Sequence, residues 1–519
     1  MKIYVSKKFI IIINLEYMCE IMQVQYTAIL KNTRLLVYIL FLIISPFVFY
    51  NIFSSIKVPS LPKFVEKNWL IYNAPEYVLM QTLSVVVFSM IILATLLFWR
   101  FRVPVAMFGI ALMLIGGLVE LDLLVAYMNM PVIIFLLCMM IVVSYIRRLG
   151  FFDFILERTM ILTRFEPKVL LVFFVLMSIF MAAAVDEVSS ILFMSVLIFD
   201  LAERFDIDPL PYLMCSIFAT NIGSSATVLG NPVGVYVAFY AYLSFDDFLR
   251  WATPAAILSS IVLIPIMFRR YSNFLLSFRL KISNSMLSDK PLSLSRDAKN
   301  GGIIFTFTLI MLALHHALES FFLLPKNSLL VAIPLAIASY ILISLKDEAI
   351  EFFEKNIEWW TLVYFMFLFS ISSTLEFTGV TAKISLLFIN LYDAISAYLP
   401  SQMLIAVFFF ICVVIIGMLS AFLDNIVAVA IFLPIISEIV SLNIPFAGIL
   451  WWSVLIGGCY FGNATPIGST ANIVVLGLFD KRYGKSISFI QWFKIGLAIS
   501  LLTSIIASLY VFAVGFLSV

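Results

Sequence analysis

Ser225-Ala-Thr-Val-Leu-Gly-Asn231 and Asn463-Ala-Thr-Pro-Ile-Gly-Ser469 echo one another at a spacing of 238 residues, and the same spacing, without a gap, carries Asp186 onto Asp424 and Glu187 onto Asn425. Two landmarks sharing one offset mark an internal duplication. Each heptapeptide sits inside an apolar run too long for one simple crossing, 209–240 or 445–478, and each acidic pair interrupts another such run, 168–203 or 402–440. Gly223, Gly230, Pro232 and Gly234 in one run, and Gly462, Pro466 and Gly468 in the other, are poor helix formers that let the backbone unwind. Irregular backbone is tolerated at membrane depth only where protein or a wet cavity receives it. The sequence therefore predicts two broken helices, and two re-entrant helical hairpins at the acidic pairs. Because a hairpin returns to the side it left, the broken helices run in opposite senses. That is an inverted repeat, an architecture that puts a binding site near the membrane midplane.

Composition agrees with this setting. The 519 residues are 63% apolar and 12% charged, where soluble domains carry about 25% charged residues. With a mean hydropathy of +1.12, a soluble enzyme is excluded and the lipid bilayer is the chain's main partner. A net charge of +2, with no basic block interleaved with aromatics, leaves no case for nucleic acid. The five cysteines (Cys19, Cys138, Cys215, Cys412, Cys459) show neither CxxC nor His-paired spacing, so they give no disulfide framework and no metal site. His315 and His316 are adjacent and face different sides of a helix. Both are read as structural.

Simple spans are expected near 34–53, 76–98, 103–119, 131–146, 251–268, 301–320, 328–345, 359–377 and 490–517. With the two broken helices counted as crossings, the chain reads as an all-α polytopic membrane protein of about 11 transmembrane spans. Its expected parts are an N-terminal interfacial or mis-started segment (1–33), with Met18 or Met22 as alternative starts, an extra first span and loop (34–75), a first inverted repeat (76–271), a cytoplasmic linker (272–300) and a second inverted repeat (301–519). The amphipathic stretches 150–164 and 379–397 are expected to lie along the interface. Lys and Arg prefer the cytoplasmic side, and Arg100, Arg102, Arg147, Arg148, Arg158, Arg164, Lys168, Arg269, Arg270, Arg279, Lys281, Lys481, Arg482 and Lys485 fall there if the N-terminus is inside. Lys57, Lys63 and Lys67 run against that pattern, partly offset by Glu66 and Glu76.

Unwound backbone frees carbonyls and amides. With Asn221, Ser224, Ser225, Thr227, Asn231, Asn463, Thr465, Ser469, Thr470 and Asn472 they can replace water around a small ion, and half-helix N-termini can face an anion. The competing account is close helix packing at the GxxxG spacings Gly230/Gly234 and Gly458/Gly462. Two copies, each beside a carboxylate-bearing hairpin, favour the site. Asp186, Glu187 and Asp424, with Asn425, sit mid-run where a charge costs at least about 3 kcal/mol. A carboxylate there can exchange a proton for a cation, which is the minimal physics of coupling; capping the hairpin tip's amides is the alternative role. No cofactor is expected beyond a sodium ion or a proton as coupling ion. Gly484-Lys485-Ser486 mimics the end of a phosphate loop, but Phe479 stands where the first glycine is required, which argues against an ATP-driven pump within the chain.

Ala184-Val-Asp-Glu-Val-Ser-Ser190, Ala219-Thr-Asn-Ile-Gly-Ser-Ser-Ala-Thr-Val-Leu-Gly-Asn-Pro232, Leu419-Ser-Ala-Phe-Leu-Asp-Asn425 and Gly462-Asn-Ala-Thr-Pro-Ile-Gly-Ser-Thr-Ala-Asn472 together resemble the ion transporter superfamily. The similar branch holds arsenite permeases, NhaD-type sodium/proton antiporters and the P-protein, with a citrate transporter-like domain. The resemblance covers roughly residues 75–519. It implies secondary active transport of a small ion (arsenite or another anion, or sodium/proton exchange) by elevator-like alternating access, a homodimer and the plasma membrane; a separate ATPase stays open as a partner. The branch usually has Asp-Asn in the first hairpin and Gly-Asp-Pro-Pro-Asn after the first break, where this chain has Asp186-Glu187 and Gly230-Asn231-Pro232-Val233-Gly234. A sodium-coupled carboxylate symporter is the alternative carrier. From other classes, a passive channel and an intramembrane aspartyl protease using Asp186 and Asp424 also compete, although the Gly-x-Gly-Asp motif expected of the protease is missing.

Overall fold

The computed structural model describes residues 33–60, 69–97, 101–151, 154, 158, 166–282, 295–442, 447–484 and 487–517. Segment 1–32, the loop with Lys63, Glu66 and Lys67, Arg100, most of 150–164, residues 283–294, and Lys485 and Ser486 lie outside the described residues. In chain order the helices are α1 (Thr33–Ser55), α2 (Pro75–Leu97), α3 (Arg102–Ile115), α4 (Leu121–Ala126), α5 (Met130–Arg148), α6 (Pro167–Ala184), α7 (Glu187–Phe205), α8 (Leu210–Gly223), α9 (Pro232–Tyr240), α10 (Phe245–Arg270), α11 (Ser272–Ile282), α12 (Arg296–Phe322), α13 (Ser328–Leu345), α14 (Ala349–Lys355), α15 (Trp359–Phe377), α16 (Val380–Ser396), α17 (Ser401–Ser420), α18 (Asn425–Val440), α19 (Leu450–Tyr460), α20 (Thr470–Tyr483) and α21 (Phe489–Leu517). Among the described residues there is no strand, and ten helices are long and apolar enough to cross a membrane. Helices α3, α8, α18 and α20 are apolar but shorter. The run expected at 103–119 thus yields a helix of 14 residues, ended by the glycine pair Gly116-Gly117.

The chain forms two compact units. One ends at Leu121 and takes in Thr374–Lys383. Within it α1, α2 and α3 pack in sequence, and the fully buried Lys383 donates to Phe53 O at 2.6 Å, near the C-terminus of α1. A helix C-terminus carries free carbonyls and partial negative charge, which suits an ammonium. The other unit, Asp122–Ser373 with Ile384–Val519, holds both hairpins and both broken helices.

Helices α6 and α7 make the first hairpin, and its two feet are close together. Glu166, before α6, and Asp206, after α7, both pair with α11: Arg279 Nε lies 3.8 Å from Glu166 Oε2 and Lys281 Nζ 3.0 Å from Asp206 Oδ2. Entry and exit therefore lie on one side. The start of segment 272–300, expected as a linker, is thus a helix with Leu275 and Phe278 buried against this hairpin. Its apolar positions share one face, which the density of Ser, Lys and Arg hid in the sequence. In the second hairpin α17 and α18 run side by side. Phe388 of α16 meets Phe408 of one and Phe432 of the other, and Ser385 donates to Ile435 O at 3.1 Å. The later part of the stretch 379–397, from Ile384 on, thus packs Ser385 and Phe388 on that hairpin.

Each broken run becomes two helices: α8 and α9 flank residues 224–231, and α19 and α20 flank 461–469. Arg482, at the end of α20, pairs with Glu203 at the end of α7 at 2.7 Å. Helix α8 starts a few residues after Glu203, so α20 ends where α8 begins, and the two broken helices are antiparallel. Accordingly α8 packs on α20, and α9 on α18 and α19. The first broken helix stops at Tyr240, the end of the expected run 209–240, and Ser244 and Asp247 then form a capping box that opens α10.

The repeats match in atomic contacts. Thr227 donates its hydroxyl proton to Ala183 O, and Thr465 to Ala421 O, a pair related by the 238-residue spacing. Where the first arm of each hairpin crosses the broken helix, one partner must be glycine. A Cβ on Gly223 would lie 2.5 Å from Ile179 Cα, and one on Gly417 would lie 2.3 Å from the Phe461 ring. The glycine sits on opposite partners of the same crossing.

Candidate functional site

Four helices begin at the centre of the second unit, each with a polar N-cap. Asp186 Oδ1 accepts from Ser189 N at 2.8 Å to open α7, and Asp424 Oδ1 accepts from Ile426 N at 3.2 Å to open α18. Asn231 Oδ1 accepts from Gly234 N at 2.8 Å to open α9, and Ser469 Oγ accepts from Ala471 N at 3.2 Å to open α20. Asp186 pairs with Asp424, and Asn231 with Ser469, at the repeat spacing. Capping satisfies free N–H groups, so one oxygen of each hairpin aspartate is a structural acceptor. Four N-termini directed at one region sum their partial positive charges.

Between these ends lies a network of buried amides. Fully buried Asn221 donates from Nδ2 to Asn463 Oδ1 at 2.7 Å and to Asn472 Oδ1 at 2.9 Å. Asn463 donates to Phe218 O at 3.1 Å, and Asn472 to Gly462 O at 2.7 Å and Thr465 O at 3.0 Å. The two breaks are thus bound to one another, and Asn221 Oδ1 is left without a hydrogen-bond partner. Nearby, Asn231 donates to Ser224 Oγ at 2.8 Å, and Thr470 donates to Asp424 Oδ2 at 2.7 Å.

Glu187 joins the two repeats. It is 6% exposed, Ser469 donates to its Oε1 at 3.4 Å, and its Oε2 has no hydrogen-bond partner. Asp186, Asp424, Asn231 and Ser224 all lie within electrostatic or hydrogen-bonding reach of this carboxyl. Asn425 is buried on the opposite hairpin beside Ser420, Gly458 and Gly468.

The structure therefore brings together Asn221, Asn463 and Asn472; Glu187, Ser224, Asn231 and Ser469; and Asp424 with Thr470. Thr227 and Thr465 reach the region, but their hydroxyl protons hold the first arms of the hairpins. Ser225 bonds locally to Ile222 O at 2.7 Å. Two neighbours escaped the sequence reading. Cys459 Sγ accepts from Asn231 at 3.1 Å; it occupies the repeat position of Asn221, a signal its apolar character masked. Trp492 donates from Nε1 to Asn463 O at 2.9 Å, and nothing in the run 490–517 marked it. Among the described residues no group of three or more His, Cys, Asp or Glu is arranged to hold a metal ion. A cation here would rest on carbonyls, hydroxyls and single carboxylates, a donor set suited to hard ions.

Comparison with known proteins follows the same lines. The 46 kDa membrane protein of Mycobacterium leprae is 28% identical over 383 residues, 73% of this chain and 85% of its own length. An uncharacterized transporter of Synechocystis is 25% identical over 384 residues, 69% and 80% of the two chains. The P protein of Mus musculus is 24% identical over 471 residues, 77% of this chain and 56% of that one. The crystal structure of the Alcanivorax borkumensis YdaH transporter superposes with a TM-score of 0.45 at 15% identity, over 93% of this chain and 98% of that one, a likeness too loose to bear on the site. The family model described as citrate transporter matches residues 85–457, well over half of the chain, and the protein belongs to that family of multi-pass membrane transporters.

Proposed function

We propose that the protein is a secondary active carrier of a small ion, with its binding site between the two helix breaks. The observation that carries this reading is the bond from Asn221 to both Asn463 and Asn472. It makes one site from both repeats, at the place where four helix N-termini meet. Those bonds, with Thr227 and Thr465 on the hairpins, tie hairpins and broken helices into one block. A block that carries its site as a unit suits elevator-like alternating access.

The charges favour an anion that travels with cations. Converging N-termini attract an anion, yet Asp186, Glu187 and Asp424 would repel it unless cations or protons accompany it. The family description points to a carboxylate as that anion, which makes a cation-coupled carboxylate symporter the favoured form of this carrier. With the N-terminus inside, Arg279, Lys281 and Arg482 face the cytoplasm, and the family resemblance adds a homodimer in the plasma membrane.

Reconstituted vesicles test this. Citrate, smaller carboxylates, arsenite and sodium are offered under imposed sodium or proton gradients. The expected result is saturable, gradient-driven accumulation of one of them, lost in Asp424→Asn with the variant still folded. Peptide cleavage lost in Asp424→Asn with flux intact would instead support the protease, and currents far faster than carrier turnover would support a channel.

A further inference from the structure

Beyond the amide network, one end of the second unit holds a cavity of about 760 Å³. Three elements wall it: Phe239 and Tyr240 close α9, Ile134 lies in the first turns of α5, and Lys326, Asn327 and Ser328 lead into α13. Helix α5 begins at the cavity and ends at the basic pair Arg147-Arg148, so the cavity faces the outer surface if the N-terminus is inside. A water molecule's share of liquid volume is about 30 Å³. The space is therefore far larger than one small ion fills, and it falls within the range of sites for larger organic ligands.

Its polar end carries groups that the fold leaves unused. Asn327 is 5% exposed, yet its Oδ1 has no hydrogen-bond partner and its Nδ2 reaches only Leu243 O at 3.5 Å. The Ser328 hydroxyl is buried and equally without a partner. Such groups call for a partner from outside the chain. Lys326 is the one charged residue lining the cavity among the described residues, which makes that partner an anion. The buried Glu319 carboxyl is engaged elsewhere, accepting from Asn327 N at 3.0 Å and Leu329 N at 2.8 Å in the first turn of α13. An anion with acceptor oxygens alone would leave Asn327 Oδ1 unserved, so the ligand also carries a hydroxyl. The rest of the wall is apolar, with Ile134, Phe239 and Val331. In the turn that leads to Lys326, Phe321, Phe322 and Leu323 are exposed, as suits a mouth at the membrane interface.

We propose that this cavity binds an anionic glycerophospholipid of the adjoining leaflet: Lys326 and Ser328 hold the phosphate, a headgroup hydroxyl donates to Asn327 Oδ1, and an acyl chain lies along Ile134, Phe239 and Val331. Helix α9 belongs to the block of hairpins and broken helices, whereas α5, α12 and α13 pack on one another. The bound lipid therefore ties the block to its neighbours. On the carrier reading above, on which this consequence rests, that tie slows turnover.

Native mass spectrometry and thermal unfolding of the purified full-length protein in detergent read the binding, with dihexanoyl phosphatidylglycerol, dihexanoyl phosphatidylcholine or inorganic phosphate added. The wild type is expected to retain one phosphatidylglycerol and to unfold at a higher temperature with it, as with any ligand of the folded state, while phosphatidylcholine and phosphate do neither. Lys326→Gln should bind phosphatidylglycerol about fivefold more weakly, whereas Lys346→Gln, at the other end of α13, should match the wild type. Equal retention by Lys326→Gln and wild type, or an equal loss in Lys346→Gln, overturns the inference; phosphate bound as firmly as the lipid would also overturn it, marking a site for a free anion. In vesicles, phosphatidylglycerol added to phosphatidylcholine should slow ion uptake by the wild type more than by Lys326→Gln, and equal slowing would sink the proposed tie. Lipid retention without flux of any ion would refute the carrier and leave the lipid site standing, whereas flux with retention indifferent to Lys326 would refute the lipid site and leave the carrier.

Discussion

The first hairpin and its break hold a carboxyl with an unpartnered oxygen; the second hairpin and its break, built to the same plan, hold an amide whose nitrogen, turned to the surrounding acceptors, donates to the Gly458 and Gly468 carbonyls. The shared contacts, Thr227 to Ala183 and Thr465 to Ala421, show that duplication fixed the geometry. The differences fall at the polar positions: Asn221 against Cys459, Ser225 against Asn463, Gly234 against Asn472, Glu187 against Asn425. A symmetric frame thus carries an asymmetric lining, and only the lining can distinguish a coupling ion from a substrate.

That comparison breaks first at the tight glycines. Gly230→Ala forces a Cβ to 2.2 Å from a backbone oxygen, and Gly468→Ala to 2.9 Å. We expect the former to cost about 3 kcal/mol or more and the latter about 1–2 kcal/mol, measured by thermal unfolding and by the yield of monodisperse protein. Equal losses would mean that the two breaks do not differ in tightness. Next, Asn425→Ala takes the side-chain donor from the Gly468 carbonyl, while Gly458 O keeps that of Ser420, and should cost about 1–3 kcal/mol, while Glu187→Ala should cost less because it removes a buried carboxyl with an unpartnered oxygen. The reverse order would contradict the assigned difference. Thr465→Val deletes one hydrogen bond and should cost about 1 kcal/mol, whereas Thr227→Val deletes two, because its Oγ1 also accepts from Leu229 N at 3.1 Å, and should cost about 2 kcal/mol; equal losses would show that the second bond adds nothing. Smallest of all, Arg482→Gln removes a half-exposed pair with Glu203 and should shift stability by about 0–1 kcal/mol. A large loss would mean that the pair fixes the relation of the two broken helices.

The breaks and hairpins were legible because their residues have few other uses in lipid. Pro232 and Pro466 interrupt apolar runs, and Asp186 and Asp424 place carboxylates where burial is costly. Which groups share bonds was not legible, since Asn221, Asn463 and Asn472 meet only after the chain has folded antiparallel. Cys459 was hidden by its own hydrophobicity, although the repeat spacing from Asn221 pointed to it. The start of α10 was written in Ser244-x-x-Asp247, a capping-box pattern. Helix α11 was obscured because its buried face contributes few residues to a stretch rich in Ser, Lys and Arg.

The central claim is that residues of both repeats form one transport site, and ion accumulation in sealed vesicles tests it most directly. With wild type, Asp424→Asn and Asn221→Ala assayed side by side, the account predicts saturable, gradient-driven uptake by the wild type and its loss in both variants at equal amounts of folded protein. Uptake unchanged in both variants would contradict it.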